Sequence, residues 1–124
     1  MVYVERAAVY YILSQLNPAG ALEIGTYLGG SLQLIAQFAK TVFSIDIDEN
    51  VQKSLAPRFP HVRFLTGDSK NLIPSVLTEF PARGVDLQFV MIDGDHSRAG
   101  VRQDIELVLQ YRPRAPLVIM MHDS

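Results

Sequence analysis

The chain has 124 residues, 48% of them hydrophobic and 19% charged, enough to bury one core, and its formal charge of −2 lacks the excess of Lys and Arg that drives binding to phosphate backbones. It has no cysteine, which excludes a disulfide framework, a thiolate metal site and a cysteine nucleophile. No apolar run is long enough to span a bilayer, and Glu5 and Arg6 interrupt the first residues where a secretory signal would be uniformly apolar; the expectation is a single cytoplasmic domain over residues 1–124 that engages neither nucleic acid nor a membrane.

Val4, Ala7, Ala8, Tyr11, Ile12 and Leu16 recur at helical spacing and predict an amphipathic first helix, ended by Asn17-Pro18-Ala19-Gly20. Ala21 to Ile24 reads as a short strand broken by Gly25, and Ser31 is placed to cap a helix whose apolar positions are Leu32, Ile35, Ala36 and Ala39. Thr41 to Ile45, β-branched and aromatic, predicts a second strand ending in Asp46 and Asp48, before a short helical stretch around Val51 to Ala56 that Pro57 stops. Val62 to Leu65 predicts a third strand with the polar tip Thr66-Gly67-Asp68-Ser69, followed by a Pro74-containing helix over Leu72 to Phe80. Val85 to Ile92 is the most apolar strand and therefore central; it runs into Asp93-Gly94-Asp95-His96-Ser97. Val101, Ile105, Val108 and Leu109 mark a further helix, and Leu117 to Met121 forms the last strand before His122-Asp123-Ser124.

Strands alternating with helices, without an Asn-Gly hairpin, predict an α/β, Rossmann-like fold: a mostly parallel sheet of about five strands with helices on both faces. In such sheets ligands bind outside the carboxyl ends of the strands, where strand order reverses. Glu23, Asp46, Asp68, Asp93 with Asp95, and Asp123 all fall at strand ends, so one edge of the sheet is expected to be acidic. The loop Gly25-Thr26-Tyr27-Leu28-Gly29-Gly30-Ser31 joins a strand to a helix, where missing side chains let a ligand approach backbone N–H groups. Asp46, at the end of the following strand, stands where an acid of dinucleotide-binding folds accepts from ribose hydroxyls. Glu23 separates the two cofactor chemistries. A dinucleotide carries a pyrophosphate that a carboxylate repels, whereas S-adenosylmethionine carries an ammonium and a sulfonium and no phosphate.

These segments, Glu23 to Ser31 with the pattern E-I-G-x-x-x-G-x-S and Ser44-Ile45-Asp46-Ile47-Asp48, look like the first and second motifs of class I S-adenosylmethionine-dependent methyltransferases. Phe64 to Ser69, Val90 to Ser97 and Met121 to Ser124 are similar in order and spacing to a small-molecule branch of that family, akin to the catechol-type O-methyltransferases and the cephalosporin-hydroxylase-like proteins. The resemblance implies a methyltransferase acting on a small-molecule acceptor, through oxygen. It implies a cofactor site made of Glu23 and Gly25 at the methionine end, with Thr26, Tyr27, Gly30 and Ser31 of the same loop, Asp46 and Ile47 at the ribose, Asp68 or Ser69 at the adenine, and Asp93 near the transferred methyl. Asp93, His96 and His122 are the candidate catalytic residues, as general bases. In metal-dependent relatives, carboxylates after the fourth and fifth strands bind a divalent cation; Asp93, Asp95 and Asp123 fall there, with His122 beside them, and suit Mg²⁺ or another divalent metal.

Each position also has a structural alternative: Asp46 and Asp68 as helix N-caps, Asp95 or Ser97 as the cap of the next helix. Two departures from the family lie on the acceptor side, Ser124 where catechol-type enzymes usually carry Asn, and Tyr111 to Pro116 where Pro-Gly-Gly is usual. Set against the full methyltransferase fold, the chain is expected to lack the last two strands and to be a fragment, a compact version, or a homo-oligomer whose partner covers the fifth strand. A non-catalytic cofactor-binding or oligomerising module is the alternative function; an NAD-linked oxidoreductase is disfavoured by Glu23 and by the absence of Gly-x-Gly-x-x-Gly.

Overall fold

The computed structural model describes residues 3–25, 30–94 and 98–123, with residues 3–5, 93, 94, 98, 99, 122 and 123 described by their backbone alone. In chain order it contains α1 (Tyr3–Leu16), β1 (Gly20–Ile24), α2 (Gly30–Phe38), β2 (Thr41–Asp46), α3 (Glu49–Leu55) with a 3-10 turn at Ala56–Arg58, β3 (Val62–Thr66), α4 (Ser69–Ala82), β4 (Leu87–Gly94), α5 (Arg98–Val108) and β5 (Val118–Asp123). The strands form one sheet in the order β3-β2-β1-β4-β5, and every pairing is parallel. Strand order reverses at β1, which lies between β2 and β4, so the crossover helices fall on opposite faces.

Strand alternation sorts the core into two layers. On one face Ala21, Val42, Phe89 and Met91 pack with Val9 and Leu13 of α1, Leu32 and Ile35 of α2, and Leu55 of α3. On the other, Leu22, Ile24, Phe43, Ile45, Val90 and Ile92 pack with Ile73, Val76 and Phe80 of α4 and Val108 of α5. A fully buried side chain of this size contributes roughly 1.5–3 kcal/mol relative to exposure, so the three central strands β2, β1 and β4 anchor the fold. At the start of β1 the fit leaves no room: a Cβ on Gly20 would lie 2.7 Å from Phe80 Cε1 and 2.9 Å from the Asp86 carbonyl oxygen. Phe80 in turn meets Phe43 edge to face, with ring centroids 5.2 Å apart.

The helices differ from the periodicity reading in instructive ways. α1 is apolar nearly all round, so spacing alone does not choose its inner face; Val9 and Leu13 are buried, whereas Tyr11 is 65% exposed. α4 begins at Ser69, ahead of the expected Leu72, because Asp68 caps it by accepting from the Lys70 N–H at 3.0 Å. On α5 the expected Leu109 lies outside, and Asp104 takes a buried place between Val101 and Val108. β5 forms one edge of the sheet, paired with β4 on its inner side. Among the described residues, no helix is long and apolar enough to cross a membrane.

Candidate functional site

Glu23 is the fourth residue of β1 and points, like Ala21, toward the α1 and α2 face. Its register neighbour on β2 is Ser44 and on β4 Met91. The Ser44 hydroxyl donates to Glu23 Oε1 at 3.1 Å, and the Ser31 hydroxyl, from the first turn of α2, donates to Oε2. All three side chains are buried, Glu23 completely. Ser31, expected as a cap, thus sits inside α2 and turns its hydroxyl down onto the sheet. Glu23, expected against a ligand's ammonium, has its described contacts with the chain itself, where it ties the exit of the glycine loop to β1 and β2. Just after it, Gly25 takes φ +88°, a conformation that side chains resist, and its N–H donates to the Ile45 carbonyl at 2.8 Å. This turns the chain sharply off the sheet at the tip of β1.

Beyond that tip lies a cleft of about 410 Å³, within the range of small-molecule sites. Ile24 and Gly25 form its floor with Ile45; Asp46, Ile47 and Asp48 come from the end of β2; Gly67, Asp68 and Ser69 come from the end of β3; Gly100, Gln103 and Asp104 come from α5. The cleft therefore opens at the carboxyl ends of the strands, beside the reversal point. Asp46 is half-buried, and its Oδ1 accepts the Asp48 N–H at 2.9 Å, which fixes the carboxylate at the mouth. Asp48, rather than Asp46, caps the following helix through the Asn50 N–H. Ile47 projects at 76% exposure beside them, an apolar side chain left at the lip of a polar cleft. Ser69 Oγ donates to Asp104 Oδ1 at 2.6 Å, joining the start of α4 to α5. The described lining contains four carboxylates and no Lys, Arg or His.

Of the expected cofactor residues, Gly25, Asp46, Ile47, Asp68 and Ser69 line this cleft, while Glu23 and Ser31 are bonded to each other between β1 and the start of α2. Gly30 opens α2. Thr26, Tyr27, Asp95 and His96 lie outside the described residues. For Asp93, His122 and Asp123 only the backbone is described, and the β4–β5 register sets Asp93 beside His122 and Gly94 beside Asp123. The acceptor-side candidates thus share one end of one strand pair. The metal expectation on Asp93, Asp95 and Asp123 falls on side chains outside the described set; among the described residues no group of three His, Asp or Glu is placed to hold an ion. Asp104, Asp48 and Gln103 were missed as lining residues. For Asp104 a signal existed, since an aspartate interrupts the apolar stripe Val101, Ile105, Val108.

This architecture has solved counterparts. A caffeoyl-CoA O-methyltransferase-like protein from Staphylococcus aureus superposes with a TM-score of 0.70 at 18% identity over 90% of this chain and 53% of its own. Cofactor-bound Rv0187 from MTB superposes with a TM-score of 0.70 at 20% identity over 98% of this chain and 56% of its own. CalS10, an amino pentose methyltransferase from Micromonospora echinaspora solved with S-adenosylmethionine, gives 0.67 at 17% identity over 98% of this chain and 50% of its own. The chain thus spans about half the length of these proteins, and at such identities the likeness is one of fold. No curated protein matches the sequence. The family model described as "Methyltransferase domain" matches residues 22–124, from β1 and its glycine loop through every strand end that lines the cleft. Sequence and fold agree on this point, and the chain belongs to the methyltransferase domain family.

Proposed function

We propose that this domain binds S-adenosylmethionine in the cleft at the tips of β1, β2 and β3 and transfers its methyl group to an oxygen of a small-molecule acceptor. The observation that carries the reading is the composition of the described cleft lining, four carboxylates without a cationic side chain, at the strand-order reversal of a methyltransferase-family sheet. A pyrophosphate would be repelled there, whereas a cofactor bearing a sulfonium and an ammonium is not. The volume and the mixed lining fit a nucleoside: Asp46 offers its carboxylate to ribose hydroxyls, Ile47 covers one face of the base, and Asp68 with Ser69 faces its polar edge. Gly25 and the segment from Thr26 and Tyr27 to Gly30 are assigned to the methionine end, and Glu23 holds the start of α2 through Ser31.

S-adenosylmethionine supplies the electrophilic methyl group, so the chain's own share is to hold cofactor and acceptor in line. The acceptor is assigned to the ends of β4 and β5, where the backbone register gathers Asp93, His122 and Asp123 and where a general base is in reach. Asp93 and Asp123 bring hard oxygen donors to the same place, the kind Mg²⁺ takes; calorimetric titration of Mg²⁺ in the presence of S-adenosylhomocysteine reads whether a metal joins, and an absence of heat removes it from the scheme.

Thermal unfolding tests the binding step. S-adenosylhomocysteine at one hundred times its Kd is expected to stabilise the fold by about 2.7 kcal/mol, several degrees in Tm, while NAD leaves Tm unchanged and Asp46→Ala removes most of the shift. No shift with S-adenosylhomocysteine overturns the reading. Binding without methyl transfer to any catechol or sugar acceptor would leave a cofactor-binding module in place of an enzyme.

A further inference from the structure

Asp104 enters the reading so far only as one of the four carboxylates of the lining, yet it is only 3% exposed, set in the buried stripe of α5 and reaching the cleft wall. Burying an ionised group there costs several kcal/mol unless hydrogen bonds offset it. One of those bonds comes from Ser69, whose Oγ donates to Asp104 Oδ1 at 2.6 Å, the short distance of a charge-assisted bond. The consequence lies in proton inventory. A hydroxyl has one proton and two lone pairs, and an ionised carboxylate can only accept. With its proton committed to Asp104, Ser69 Oγ meets the cleft as an acceptor. Its neighbour Asp68, whose Oδ1 already takes the Lys70 N–H, offers only acceptors as well. Asp68 and Ser69 therefore invite a donor and repel a carbonyl at the end of the cleft that they line.

We propose that Asp104, acting through Ser69, is a specificity-determining positioning residue that makes the base subsite select a purine with a 6-amino group over one with a 6-oxo group. The proposal rests on the cofactor reading above and adds a residue to it that touches the ligand's neighbour rather than the ligand. It also assigns α5 a role in recognition, through a side chain that the packing of α4 against α5 brings to the cleft.

The test compares calorimetric binding of S-adenosylhomocysteine with that of its 6-oxo counterpart, S-inosylhomocysteine, to the full chain and to two variants. The unaltered chain is expected to prefer the adenosyl compound by about 10- to 100-fold, the size of one acceptor facing an acceptor in a desolvated site. In Asp104→Asn the carboxamide can donate to Ser69 Oγ and release the serine proton toward the cleft, so the preference is expected to fall to within about threefold, chiefly through tighter binding of the inosyl compound. Ser69→Ala removes the oxygen itself and is expected to flatten the preference by weakening the adenosyl compound. It keeps the test decisive should the Asn variant fold poorly. A merely structural Asp104 would lower the melting temperature and leave the ratio alone. If both compounds bind with the ratio unchanged in the variants, the specificity role is overturned while the cofactor reading stands; if S-adenosylhomocysteine fails to bind the unaltered chain, both fall.

Discussion

Glu23 and Asp104 are both withdrawn from solvent, and each accepts from a serine in the first turn of a helix, Ser31 of α2 in one case and Ser69 of α4 in the other. They differ in where the carboxylate stands. Glu23 stands inside the sheet, with the Ser44 hydroxyl as a second donor, and does not line the cleft. Asp104 stands on a helix at the cleft wall and lines it directly. The same pairing of carboxylate and serine therefore serves two ends: within the sheet it joins β1 and β2 to the start of α2, and at the wall it sets the polarity of a surface a ligand can meet. A buried acid near a cofactor cleft is not by itself a ligand contact; the question is where its hydroxyl partner points its remaining lone pairs.

The largest expected effect is on stability. Glu23→Ala forfeits the bonds that two buried hydroxyls make to a charged group and is expected to cost about 3–5 kcal/mol. Urea unfolding checks it; a loss below about 1 kcal/mol would show that Glu23 is not what holds Ser31 and Ser44 to β1. A control comes from the opposite end of β1. Gly20→Ala drives a Cβ into Phe80 and the Asp86 carbonyl and is expected to cost about 1–3 kcal/mol. Because it lies at the amino end of the strand and is not among the residues that line the cleft, its ratio of adenosyl to inosyl binding should match that of the unaltered chain. A changed ratio would show that loss of stability alone relaxes the site.

Much of this was legible in the sequence, and the residues say why. The α/β alternation, the interior place of β4 beside the central β1 and the acidic carboxyl edge all follow from local pattern, because period and strand-end polarity are local properties. Asp46 was placed by its distance from Gly25, and it does line the cleft. The burial of Glu23 was not legible, since it depends on Ser44 lying directly across the sheet and on Ser31 turning inward, two facts of register and helix phase. Asp104 was passed over because helical periodicity picks out apolar residues, and Leu109 fitted the period while pointing to solvent. What a strand end presents is written in its own residues; what a helix wall presents depends on which neighbour it packs against.

The smallest expected effect separates two roles for Asp68, the residue beside Ser69. Its side chain caps α4 by accepting from the Lys70 N–H, and its backbone carbonyl takes the Asn71 and Leu72 N–H groups, so the helix start is already well held. Asp68→Ala removes only the side-chain bond and is expected to cost about 1 kcal/mol, the usual size of an N-cap loss. Asp68→Asn keeps an acceptor oxygen on the side chain and, being a good cap, should recover most of that stability. For the cofactor the two substitutions part company: Ala leaves the base subsite with Ser69 as its acceptor and weakens S-adenosylhomocysteine uniformly, whereas Asn brings a donor to the cleft and should narrow the preference for the adenosyl over the inosyl compound. A variant that regains its melting temperature and retains the full preference would make Asp68 a cap and nothing more, and would leave Ser69, held by Asp104, as the side chain that reads the base.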